Sequence, residues 1–250
     1  YADILYFSNQ QTEALAQYEK YVQVDPKKLN IWLQLFSIYS EKMMTDSLLQ
    51  KSKQCIQYFP SNPIPYFYAG VSCLQLQTPH HAIDFLEKGS LLEKKNNLLL
   101  SQFYSSLGDA FNTLKDYKKS DSCFDESIRL QPAEPTTLNN YAYYLSLRKE
   151  RLEDAEKMSK KSLEIQPSSK SFLDTYGWIL FQKGLYKEAL EYVQKAIDAN
   201  GQEDGTLFEH LGDIYFMLNN KEKAKELWKK ANQKGEKNPA LLKKITDGKL

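Results

Sequence analysis

Long apolar runs are missing from this 250-residue chain. No stretch approaches the roughly 18 consecutive apolar residues that a membrane helix needs, so no segment reads as a span. An excess of one charge is missing too: 33 Lys and Arg stand against 32 Asp and Glu, and a net charge of +1 supplies no field that would gather nucleic acid or an acidic membrane surface. Cysteine is scarce. Cys55, Cys73 and Cys123 are odd in number, widely spaced and without a CxxC, which argues against a disulfide framework or a zinc site and for buried thiols. No two of the ten glycines stand two apart, which excludes a GxGxxG turn, and neither GxxxxGK nor GxSxG occurs.

Histidine is equally sparse. His80 and His81 are adjacent, cannot line one helical face, and read as a solvated helix start; His210, flanked by Glu209 and Asp213, reads as a surface histidine. No metal, cofactor or catalytic residue is expected, and the chain is read as a non-enzyme. The sequence opens at Tyr1 without a methionine or a leader, from which a processed segment that continues upstream is expected.

What is present is repetition. Pro26, Pro60, Pro132, Pro167 and Pro239 are spaced 34, 72, 35 and 72, a period of 34 to 36 with two prolines skipped, at Lys94 and at Asn200-Gly201. A second series keeps step: Phe36, Gly70, Gly108, Ala142, Gly177 and Gly212, spaced 34, 38, 34, 35 and 35. Between each of these residues and the next period boundary lie two apolar patterns of helical period, split by a short break such as "LKD" or "KGL". Each unit therefore reads as two antiparallel helices. The interval from Gly70 to Gly108 is four residues long for the series, about one helical turn, and predicts an extended helix end near "EKKNN" with a local change of pitch.

These units resemble the tetratricopeptide repeat, W-x2-L-G-x2-Y, then A-x3-F, then P. Trp32, Leu35, Tyr39 and Pro60 match in one unit; Leu107, Gly108, Phe124 and Pro132 in another; Leu211, Gly212, Tyr215 and Ala224 in a third, with Phe208 and Trp228 as aromatic substitutes. Gly70 with Ala82, Ala142 with Ala155, and Gly177 with Ala189 and Ala196 mark the rest. The expected organisation is a truncated repeat over 1–28, six repeats over 29–62, 63–100, 101–134, 135–169, 170–204 and 205–237, and a closing helix over 238–250. Asn238 would cap that helix, and Leu241, Leu242 and Ile245 would cover the last repeat. The resemblance implies an all-α fold, a right-handed superhelical solenoid of antiparallel helix pairs.

The resemblance also implies that first helices line a concave groove that holds a partner peptide or helix. On a helical wheel, positions three before, one after and four after the small residue cluster within about 60 degrees, with the position two before at their edge. Across six repeats these are 24 positions without a single Lys or Arg. The candidate groove residues are Asp109, Asn112, Asn139, Asn140, Tyr143, Asp174, Trp178, Phe181, Glu209, His210, Asp213 and Phe216. Tyr143, Trp178, Phe181 and Phe216 are the expected anchors, Trp178 foremost, and Asn139, Asn140, Asp174 and Asp213 the orienting groups. The family's carboxylate clamp needs cations on this face, so a neutral or basic protein segment with apolar side chains is the expected partner.

Two other classes fit the sequence less well. A helical-repeat RNA reader would need basic groove positions, so no nucleic acid is expected; a self-association or assembly module would stack through the first repeat or "PALLKKI". The blocks 139–167 and 173–197 also resemble bacterial cell-envelope lipoproteins, which implies an envelope or periplasmic setting, the cytoplasm being the alternative.

Overall fold

In a computed structural model, residues 2, 6, 8 and 10–250 are described. The expected truncated repeat therefore lies partly outside the described residues, at 1, 3–5, 7 and 9. The described residues form fourteen α-helices and no strand. They fall into two compact units, 1–132 and 133–250.

The first unit contains α1 (Gln11–Val24), α2 (Leu29–Glu41), α3 (Thr45–Tyr58), α4 (Pro63–Gln75), α5 (Pro79–Leu92), α6 (Asn97–Thr113) and α7 (Tyr117–Leu130). The second contains α8 (Pro135–Arg148), α9 (Leu152–Ile165), α10 (Lys170–Gln182), α11 (Tyr186–Ala196), α12 (Gly205–Met217), α13 (Lys221–Gln233) and α14 (Pro239–Asp247). A kink follows α11 at Ile197–Gly201, where Ala199 and Asn200 leave helical geometry.

Helix starts follow the sequence. Proline occupies the first turn of α4, α5, α8 and α14, where its missing N–H is no loss. Asn62 accepts from the Ile64 N–H at 2.9 Å, and Asn238 accepts from the Leu241 N–H at 2.7 Å. Hairpin turns follow a rule of register. The residue seven after the small residue is left-handed in every pair: Met43, Gln77, Lys115, Lys149, Gly184 and Asn219, with φ between +53° and +80°. Only Gly184 and Asn219 are residue types that take this conformation readily.

Close packing explains the small residue itself. A Cβ added to Gly108 would stand 2.7 Å from the Phe124 ring, and one added to Gly212 would stand 2.5 Å from the Trp228 ring. In both pairs the ring belongs to the residue sixteen later, on the second helix. In the α2–α3 pair the sizes are exchanged: Phe36 is the large residue, and sixteen later stands the buried Ser52. Volume is conserved across the crossing, which is what a densely packed core demands.

Each unit buries its own core. In the first, Trp32, Leu35, Phe36 and Tyr39 of α2 gather with Ala14 and Tyr18 of α1, and a second cluster joins Leu86, Phe103 and Leu107. In the second, Leu180, Val193, Leu211, Trp228 and Leu241 share one cluster. The four extra residues before Gly108 lengthen α6, which has 17 residues where α2, α4, α10 and α12 have 13. The added turn is at the start of the helix, which begins at Asn97 rather than Ser101, because Asn96 caps it by accepting from Leu98 and Leu99 N–H.

Candidate functional site

Ten of the twelve candidate groove residues lie in the second unit, on α8, α10 and α12; Asp109 and Asn112 are partly buried on α6 of the first. The wheel expectation of a presented face needs correction. Asn139, Trp178, His210 and Asp213 are buried, and the other six are half-buried. A wheel describes one helix alone, whereas α8, α10 and α12 pack side by side and cover much of the face they share.

Trp178 is the main correction. It is 9% exposed, its ring stacks on Phe181 (centroids 4.8 Å apart, 13° between planes) and on His210 of the next first helix (4.0 Å, 18°). Its indole N–H has no hydrogen-bond partner. Trp178 is thus a brace between α10 and α12, not an anchor offered to a partner. His210 is likewise no surface residue. Its Nδ1 lies 2.8 Å from Asp174 Oδ1, and its acidic chain neighbours Glu209 and Asp213 bond elsewhere. Burial alone would push the imidazole pKa down, but the Asp174 charge and hydrogen bond, with Asp213 and Glu209 nearby, leave it raised.

The same pattern recurs one repeat further on. Lys244 of α14 stands 34 residues after His210 and reaches back to α12 as His210 reaches back to α10. Its Nζ lies 2.8 Å from Glu209 Oε1 and 2.6 Å from Asp213 Oδ2. Asp213 also accepts from the buried Trp228 Nε1 at 2.8 Å. Burial raises the Asp213 pKa, against the pull of Lys244 and Trp228. Asp213 is therefore a structural acid. The 24 wheel positions hold no cation, yet the face receives two: Lys244, and Lys170, which pairs with Asp204 at 2.9 Å. Neither was singled out from sequence, although the 34-residue offset from His210 to Lys244 was there to be read. Of the closing helix, Leu241 is fully buried and Ile245 half-buried, but Leu242 is 48% exposed.

A cleft opens on this face. It measures about 240 Å³ and lies among α8, α10 and the start of α12, lined by Asn139, Tyr143, Asp174, Thr175, Lys170 and Leu207 among others. Asn139 is 6% exposed, and its side-chain Oδ1 has no hydrogen-bond partner. Tyr143 shows the sign of the local field: burial first, then the charges of Asp174, Glu209 and Glu236, push its phenol to about 12. Asn140, Phe181 and Phe216 do not line this cleft; Phe216 packs 5.8 Å from the Trp228 ring. Among the described residues no group of three His, Cys, Asp or Glu could hold a metal ion.

Comparisons with known proteins agree with the fold of helix pairs. Similar solved structures include a subunit of the APC/C hetero-tetramer Cut9–Hcn1, at a TM-score of 0.76 and 15% identity over 99% of this chain. This chain spans 48% of that subunit's length. A tetratricopeptide repeat protein from Parabacteroides merdae matches at a TM-score of 0.72 and 13% identity, over 99% of this chain and 95% of its own. YrrB, a repeat protein with an unusual peptide-binding site, matches at 0.53 and 18% identity, over 76% and 94%. At these identities the likeness shows the fold, an all-α solenoid of helix pairs. No curated protein sequence matches the chain. The sequence model of the tetratricopeptide repeat matches residues 98–247, more than half of the length, and the chain belongs to the tetratricopeptide repeat family.

Proposed function

We propose that this member of a family of protein-interaction scaffolds holds a segment of a partner polypeptide in the second unit, in the cleft beside Asn139. One observation carries the reading: a buried amide oxygen without a partner lines an open cleft. Leaving such an oxygen unpaired costs about 1–3 kcal/mol, which a backbone N–H of an entering chain would recover. The surroundings indicate what else the segment carries. Tyr143 and Leu207 favour an apolar side chain, and the two acids Asp174 and Asp204 outnumber the one lining cation, Lys170, which favours a neutral or basic segment over an acidic one. YrrB offers a precedent for peptide binding on this fold.

Selection of binders from a random peptide library tests the reading. Peptides enriched in Lys, Arg and apolar residues are expected, and Asn139→Leu, which keeps the volume and removes the acceptor, should weaken them at least tenfold, about 1.4 kcal/mol. Acidic binders, or binders indifferent to Asn139, would contradict it.

A further inference from the structure

The first helices of the second unit are joined by a ladder that keeps one register. Each rung starts at the residue two before the small position, or 34 residues later on α14, and reaches back to the residues three before and one after the small position of the preceding first helix. Lys244 of α14 meets Glu209 and Asp213 of α12 at 2.8 and 2.6 Å. His210 of α12 bonds Asp174 at 2.8 Å and stacks on Trp178, the corresponding pair on α10. One rung further back the reaching residue is Thr175, and the pair on α8 is Asn139 and Tyr143.

This third rung is not made. A threonine side chain is shorter than a histidine or a lysine, and the Asn139 Oδ1 that it would have to reach is buried without a hydrogen-bond partner. The cleft of about 240 Å³ opens at this point, with Asn139, Tyr143, Asp174 and Thr175 all in its wall. Lys170, the cation in that wall, is held 2.9 Å from Asp204 and gives nothing to Asn139. An acceptor is thus left open where each of the other two rungs receives a nitrogen from the next helix.

We infer that a lysine side chain of the partner polypeptide makes the missing rung, its ammonium bonding Asn139 and Tyr143 as that of Lys244 bonds Glu209 and Asp213. The inference rests on the reading that a partner segment occupies this cleft, and names the residue that the segment inserts. An ammonium donates singly to three separate acceptors, which Asn139 Oδ1, the Tyr143 phenol oxygen and Asp174 can supply. A guanidinium is best met by both oxygens of one carboxylate, and Asp174 has given Oδ1 to His210. The charges of Asp174, Glu209 and Glu236 all act on Tyr143, so the local field favours a cation. The amide oxygen has two lone pairs, so a backbone N–H of the same segment can share Asn139 with the ammonium.

The probes are peptides selected against the full chain from the random library, remade with each lysine replaced in turn by norleucine, which keeps the stem without the charge, and by arginine. In every binder that Asn139→Leu weakens, one lysine should be indispensable, both replacements costing at least tenfold. Thr175→Lys, which offers the rung a cation from within the chain, should weaken these peptides by a similar factor. Should that variant not fold, Asn139→Asp, which gives α8 the carboxylate that α10 and α12 carry at this position, should tighten the lysine peptide several-fold over its norleucine form. Binders that need Asn139 but tolerate norleucine or arginine at every lysine would overturn the inference and leave the cleft standing as a partner site. Unchanged binding in whichever variant folds would overturn it too. If no selected peptide depends on Asn139, the inference and the reading beneath it fall together.

Discussion

Consecutive first helices are joined differently in the two units, although the register is the same. In the first unit the position two before the small residue of α4 is Tyr68, whose ring lies 5.0 Å from Phe36 of α2. In the second, the corresponding position of α12 is His210, stacked on Trp178 and bonded to Asp174, and 34 residues later Lys244 bonds Glu209 and Asp213. One unit is coupled through apolar rings, the other through buried charge. A repeat family fixes where side chains from successive helices meet, and leaves their chemistry open. The second unit is therefore expected to respond to pH and to single charge deletions in ways the first does not.

The largest effect should come from Trp228, fully buried against Gly212. Trp228→Ala should destabilise the second unit by about 3–5 kcal/mol, measured by urea unfolding. Phe124→Ala removes comparable packing from the first unit without stranding a carboxylate. Trp228→Phe sharpens the contrast, because it chiefly deletes the donor to Asp213 and should cost roughly 1.5–3 kcal/mol. A Trp228→Phe variant as stable as wild type would mean that Asp213 does not need the indole.

Next in size is Lys244→Met, which leaves the buried Asp213 and the half-buried Glu209 without their cation. A loss of about 3 kcal/mol is expected, seen as faster hydrogen exchange in α12 and α14 with α2 and α4 unchanged. Equal loosening of both units would break the comparison.

A pH effect follows from His210. Its pKa in the folded chain is raised above the ordinary value, so its contribution is complete below about pH 6 and is lost as pH rises through the folded pKa. Exchange protection of α12, corrected for intrinsic rates, should fall across that window and become flat in His210→Gln. The first unit's α2 should show no such step.

The smallest effects concern the left-handed hairpin residues, which occur in both units. Gln77→Gly and Lys149→Gly should each raise stability by up to about 1 kcal/mol, and Gly184→Ala should lower it by a similar amount. Thermal melts of the three variants check the set. A difference in sign between Gln77 and Lys149 would show that the turns are not equivalent.

The fold could be read from spacing because its constraints are local and repeated. Gly108 and Gly212 announce helices that cross too closely for a Cβ, and the proline series announces where pairs begin. The site was legible only in part. The wheel places Asn139, Tyr143, Asp174 and Trp178 on one face, but one helix's geometry carries no information about the next helix's side chains. Trp178 therefore looked presented, whereas His210 lies over it, and Asp213 looked available, whereas Lys244 and Trp228 hold it.

A double-mutant cycle on Asp174 and His210 tests the charged coupling most directly. Asp174→Asn, His210→Gln and the double variant would be compared with wild type by native-state hydrogen exchange of α12. The account predicts a coupling energy of about 1–3 kcal/mol at pH 6 that shrinks as the histidine loses its proton. Additivity within about 0.5 kcal/mol at every pH would contradict it.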